Sequence, residues 1–262
     1  MKKLALCIAA TAALSSSAFA ADLPVKAPPM AVAPLFSWTG FYIGVNGGGA
    51  WSPDRTIFLD EREGLDPFFT GVFGTRRAEG GFGGVQVGYN LQQGPWVIGL
   101  EGDAQGSSIR GSSFATVTPY LTAGNSITLG TTERLDYFAT IRGRVGYAWD
   151  RVLLYVTGGG AVGQTRTTLA MTDTFGFAAA NTNTTLRGGY TVGAGGEYAF
   201  SPNWSAKIEY QYIDLGRGSF HAQEFTGAAP STFFIFNSNR FDYHTVRFGL
   251  NYKWGGPVVA NY

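Results

Sequence analysis

Cysteine is almost missing: the 262 residues hold one, Cys7. It lies within MKKLALCIAATAALSSSAFA, where two lysines precede an apolar stretch and small residues flank Phe19. Residues 1–20 therefore read as a secretory signal peptide cut after Ala20. The exported chain then has no thiol, and a disulfide framework is excluded. Charge is also sparse, at 14% of residues with a formal net charge of +1. Nothing resembles the concentrated basic face of a nucleic-acid binder. Beyond the signal, no run of roughly 18 apolar residues appears, so a spanning helix is not expected.

Glycine and aromatic residues, by contrast, are plentiful, with 38 glycines and 15% Phe, Trp and Tyr. Residues 21–37, ADLPVKAPPMAVAPLFS, carry Pro24, Pro28, Pro29 and Pro34 without an apolar period, which predicts an extended, poorly ordered periplasmic arm. Residues 38–262 read as the barrel with four long surface loops, and from Thr39 onward the dominant signal has period two. It predicts strands near 39–51, 80–91, 96–106, 133–148, 152–165, 187–200, 204–215 and 241–254. In the fourth, Leu135, Tyr137, Ala139, Ile141, Val145 and Tyr147 share one face, while Asp136, Thr140, Arg142 and Arg144 share the other.

The connections alternate in length. Gln93-Gly94-Pro95, Trp149-Asp150 and Ser201-Pro202-Asn203 read as tight turns; polar segments near 52–79, 107–132, 166–186 and 216–240 are long. Short turns on one side, long loops on the other and an even strand count predict an all-β fold: an eight-stranded antiparallel up-and-down transmembrane β-barrel. A soluble barrel with the same strand count would enclose its apolar face. Here that face carries Phe41, Ile43, Val45, Val87, Tyr89, Leu100, Val156, Tyr190, Tyr198, Ile208 and Tyr210, too much volume and too many hydroxyls for an eight-stranded lumen. The opposite face, with Gly44, Asn46, Gly84, Gln86, Gly88, Thr157, Gly159 and Gly249, is small or polar and suits a narrow interior. Phe41, Tyr89, Trp96, Tyr147, Tyr198, Trp204, Tyr252 and Trp254 gather near the short turns as an interfacial girdle.

WTGFYIGVNGGGAW after an ADLPVKAP arm, then GGVQVGYN, RGRVGY, LLYVTGGGAVG and the ending VRFGLNYKWGGPVVANY, closely resemble the small outer-membrane β-barrel proteins, often called porin-family, of rhizobia and related alphaproteobacteria. The resemblance spans nearly the whole chain. It implies a surface-exposed protein of the cell outer membrane, without shared catalytic residues. GGPVVAN follows Trp254 before Tyr262, so two aromatics stand as candidates for the terminal signal that assembly machinery reads.

Several motifs invite sharper readings. GGGAVG at 158–163 matches a nucleotide-binding fingerprint in form, but TRTTLAMTDTF follows where a helix would be required, and barrel glycines are preferred. Ser219 with His221 is a conceivable hydrolytic pair lacking an identifiable third member. His221 with loop tyrosines is a conceivable haem or metal site. A solvated loop histidine is the preferred reading of both. Asp60, Glu61, Glu63 and Asp66 of DEREGLD read as a solvated charge run rather than a divalent-cation collector.

The sequence thus predicts no enzyme, no catalytic or metal site and no cofactor. It predicts a monomer embedded in outer-membrane lipid and lipopolysaccharide, delivered by periplasmic chaperones and the barrel-assembly machinery, with no nucleic-acid partner. Counting up from the short turns brings Glu101, Asp103, Arg142 and Arg144 to similar depth. It also sets Glu197 against Lys207 and Glu209 near Arg247, each pair expected to compensate its own burial. The expected function is a structural barrel that displays surface loops around a lumen plugged by ion pairs. A small diffusion pore and a loop-borne receptor, adhesin or haem binder are the alternatives.

Overall fold

The computed structural model describes residues 36–59, 71–117, 126–174, 176, 178–221 and 236–254. Its strands are β1 (Gly40–Trp51), β2 (Arg55–Leu59), β3 (Gly71–Arg76), β4 (Glu79–Gln93), β5 (Trp96–Val117), β6 (Ile127–Trp149), β7 (Val152–Asp173), β8 (Ala178–Ala199), β9 (Trp204–His221) and β10 (Phe236–Trp254). Eight of them close into an antiparallel barrel in the order β1-β10-β9-β8-β7-β6-β5-β4, and β2 pairs with β3 as a separate hairpin. Closure gives every membrane-level backbone group a ladder partner, as hydrocarbon requires.

Burial alternates along most of the barrel wall as the period-two pattern predicts. Ile43, Val45, Ile98, Leu100, Val156 and Ile208 face out, and Tyr42, Asn46, Gln86, Thr157 and Arg247 face in. Inward glycines accept neighbouring side chains. Tyr42 lies directly opposite Gly88, and Tyr155 opposite Gly195; a β-carbon at either glycine would collide with the facing tyrosine hydroxyl. Each ring covers the bare backbone beside it, a known remedy for strand glycine. Outward Gly49 meets nothing within 4 Å.

Bulges alter the simple alternation. The β6–β7 register shifts between Leu135 and Tyr137, and the β5–β6 register between Gly106 and Ile109. An extra residue reverses the facing of everything beyond it. Leu135, predicted to face lipid, is therefore buried inside at 2% exposure, while Asp136, predicted to face the lumen, emerges between Arg134 and Arg166 on the outer wall.

Much of what reads as long polar loop is strand. β5 to β8 run 22, 23, 22 and 22 residues, about twice what crossing a bilayer requires. Cross-strand threonine pairs lace the projecting part, Thr116 to Thr128 at 3.1 Å and Thr168 to Thr182 at 2.9 Å. Residues 60–66 lie outside the described residues, as do the side chains of Ser219 and His221 at the end of β9. The GGGAVG stretch runs through β7 as strand.

Two aromatic rings mark the membrane. At the short-turn end, Trp96 packs on Tyr147 (5.4 Å between centroids) and Tyr252 on Trp204 and Trp254 (5.2 Å each). Ten residues further along their strands stand Tyr137, His244 and Trp51, measured from Tyr147, Trp254 and Phe41. With a rise of about 3.3 Å per residue and a tilt near 40°, ten residues climb roughly 25 Å, the height of an outer-membrane apolar band. His244 stacks on Trp51 (5.9 Å, 18°), and its Nδ1 lies 2.6 Å from the Tyr210 hydroxyl. The Tyr137 hydroxyl donates to Gln164 Oε1 at 2.8 Å.

Two of the three short turns carry positive φ at their first central residue, Gly94 at 59° and Asp150 at 51°. That matches the strand twist of a type II′ hairpin. Asp150 tolerates the left-handed region better than most residues. Asp150→Val is expected to lower stability by about 1–2 kcal/mol, the cost of a branched residue at that φ. Urea titration of the protein in lipid vesicles would register it as a lower midpoint with an unchanged slope.

Candidate functional site

Inside the wall the side chains form layers. The floor, at the short-turn end, is apolar: Val97, Ala148, Leu153, Tyr155 and Ala199 surround Trp38, which is 2% exposed. Trp38 precedes β1 and turns into the barrel mouth. Its backbone N–H donates to Gln92 Oε1 at 2.7 Å, and its indole Nε1 donates to the Asp150 carbonyl at 3.1 Å. Phe36 packs edge-on against it at 5.0 Å, and Lys253 Nζ sits 4.4 Å from the Phe36 ring centroid while donating to the Ser37 carbonyl. Residues 36 and 37, expected to belong to a loose arm, thus help seal the floor.

The middle layer is ionic. Glu101, Asp103, Arg142, Arg144, Glu197, Lys207, Glu209 and Arg247, four anions and four cations, come together in one connected network. None exposes more than 3% of its side chain. Arg142 stands at its centre, reaching Glu101 at 2.5 Å, Asp103 at 2.7 Å and Glu209 at 2.6 Å. Arg247 Nη1 lies 3.3 Å from Asp103, and its Nε 3.5 Å from Glu209. Lys207 binds Glu101 at 2.8 Å, and Arg144 reaches Glu197 at 3.2 Å.

Neutral groups complete the shell of the carboxylates. Tyr42 donates to Glu101 at 2.7 Å, Thr140 to Asp103 at 2.6 Å, Tyr155 to Glu209 at 2.8 Å and Asn251 to Glu197 at 2.8 Å. The Arg144 guanidinium lies between the Tyr42 and Tyr155 rings, 4.9 and 5.2 Å from their centroids. Its Nε donates to Asn90 at 2.7 Å.

The pairing expected across the Ser201-Pro202-Asn203 turn is not the one adopted. Glu197 and Lys207 are backbone neighbours, yet the lysine crosses the lumen to Glu101 and the glutamate takes Arg144, Ser205 and Asn251. Adjacent inward side chains on a closed wall point toward the axis, where partners from opposite strands are as near as those alongside. Arg142 and Glu101 meet as expected, with Asp103 on Arg142 and Arg144 3.8 Å from Glu101.

Above the charges lies a second apolar layer that the sequence reading missed. Phe82, Ile109, Leu135, Phe138, Ile213 and Leu215 are buried within it, with Phe82 edge-to-face on Phe138 at 5.5 Å. The bulge in β6 turns Leu135 inward. Phe82, Ile109, Ile213 and Leu215 keep strict alternation with inward Gly84, Asp103 and Glu209, so their place was readable by extending the inner face past the charged rows. Over this layer Arg76 pairs with Glu133, and Tyr243 donates to Glu133 at 2.7 Å.

An antiparallel barrel with a lipid-facing belt, two aromatic rings and a filled interior defines a transmembrane protein of outer-membrane type. Its residues 6–253 match the family described as "Outer membrane protein beta-barrel domain". The chain belongs to that family and is an outer-membrane protein. It is 37% identical over 250 residues to the 31 kDa outer-membrane immunogenic protein of Brucella melitensis, covering 93% of this chain and 96% of that one. It is 30% identical over 244 residues to a 22 kDa outer membrane protein of Rhizobium leguminosarum bv. viciae, covering 90% and 83%. Among solved structures it resembles the outer membrane protein OprG of Pseudomonas aeruginosa, at 12% identity and a TM-score of 0.44 over 82% of this chain and 97% of that one.

Proposed function

We propose that this protein is a structural, non-conducting barrel of the outer membrane that displays its projecting strands and loops on the cell surface, and that it is not an enzyme. The carrying observation is the stack inside the wall, a Trp38 floor, a neutral network of eight charges and an upper apolar layer. Each layer opposes an ion in a different way. Apolar layers offer no substitute for its hydration, and each charge of the ionic layer is committed to an opposite one. The same commitment argues against catalysis, since every carboxylate and cation of the network is held by an opposite charge.

Exposure of the long-loop side accords with the Brucella relative being named for its immunogenicity. Monomeric insertion by the barrel-assembly machinery belongs to the same proposal.

Purified, refolded protein in a planar lipid bilayer is expected to show no stable step of porin size in molar potassium chloride. A reproducible open conductance in the parent protein would overturn the sealed-lumen reading and make it a diffusion pore.

A further inference from the structure

On the outer face of β5, β6 and β7, just above the upper aromatic ring, arginine occurs three times at one level. Arg110 stands directly opposite Arg134, and Arg134 opposite Arg166. They point outward, since Ile109, Leu135 and Thr165 beside them are buried. Side chains directly opposite on neighbouring strands are about 5 Å apart, and like charges so placed repel.

The counter-charge nearby is small. Asp136, extruded by the bulge, lies 3.8 Å from Arg134 Nε and 3.5 Å from Arg166 Nε. Glu79, the cross-strand neighbour of Arg110, lies 3.7 Å from Arg77. Among the described residues four arginines therefore share two carboxylates, a local excess of two positive charges, in a chain with only 14% charged residues.

Height identifies what meets this excess. Tyr137, with its hydroxyl on Gln164, belongs to the upper ring, and exposed Ile141 and Val162 continue the lipid belt beneath it. The arginines stand one cross-strand step above, at the level of headgroups in the outer leaflet. Guanidinium forks bind phosphate through paired hydrogen bonds, and they do so more strongly where one side is lipid rather than water.

We propose that Arg110, Arg134 and Arg166 form a binding site for the phosphate of a phosphorylated glycolipid in the outer leaflet, whose acyl chains lie along Ile141 and Val162. Asp136 positions two of the three forks and competes with the lipid phosphate for them. The site faces away from the lumen, so its failure and that of the sealed-lumen reading are separate results.

The test uses full-length mature protein refolded in zwitterionic micelles, with unfolding followed by heat-modifiable gel mobility. The probes are lipid A with two phosphates, the same lipid A with both phosphates removed, and inorganic phosphate. Diphosphorylated lipid A is expected to raise the unfolding temperature of the parent. R110Q/R134Q/R166Q should need at least about tenfold more of it for half the shift, following the loss of three charge-assisted contacts. Arg151→Gln, at the short-turn end, should respond as the parent does. D136N should bind several-fold more tightly, and this arm stands even if the triple variant does not fold. An equal shift with dephosphorylated lipid A, a parent-like response of the triple variant, or no tightening in D136N would overturn the site. The same shift from inorganic phosphate at equal concentration would overturn its assignment to lipid.

Discussion

Arg142→Met is expected to lower the stability of the folded barrel by about 3–5 kcal/mol, the range found when one member of a buried ion pair is removed. Arg142 holds Glu101, Asp103 and Glu209 together within 2.7 Å, and the substitution leaves four anions against three cations in a water-poor interior. Adding Glu209→Gln restores three against three while Arg247 keeps Asp103. The double variant should therefore be more stable than Arg142→Met alone, even though it lacks a further charge. Urea midpoints in lipid vesicles for the parent, both single variants and the double close the cycle. Additive losses, with the double variant the weakest, would show that these groups are stabilised independently and would remove the network from the account.

Trp38→Ala should cost about 3–5 kcal/mol by a different route, the loss of a large buried aromatic and the cavity left behind. The indole fills the floor against Val97, Leu153 and Tyr155, and its Nε1 ties the chain to the Asp150 turn. Trp38→Phe should recover much of the packing but not that hydrogen bond, and so fall between. Conductance should remain low in Trp38→Ala, because the ionic layer and the upper apolar layer still close the lumen. A parent-like urea midpoint for Trp38→Ala would mean that residues 36–39 do not seat in the barrel mouth.

The eight barrel strands, the outward belt and the lower girdle were readable in the chain. A half-buried strand writes its two faces into alternate residues, and Ile43, Val45, Leu100, Val156 and Ile208 do so without interruption. The composition of the ionic layer was readable for the same reason, because a charge on the small-residue face of a narrow barrel can only point inward. Depth counted from tight turns such as Gly94-Pro95 then brought all eight charged residues to one region.

Which charge meets which was decided only by closure. Lys207 passes over its strand neighbour Glu197 to reach Glu101, 106 positions away, because the wall curves until opposite strands are as close as adjacent ones. Leu135 and Asp136 exchanged sides for a related reason: a bulge is an event between two strands, and one strand's sequence carries no record of its partner's residue count. Trp38 likewise reads only as the residue before an alternating strand, and the assembled mouth, with the Asp150 carbonyl and Gln92 in place, seats it as the floor. Local pattern determined the wall and its two faces. The registers, the layers and the row of opposed arginines came from contacts between strands distant in sequence, which exist only once the ring is closed.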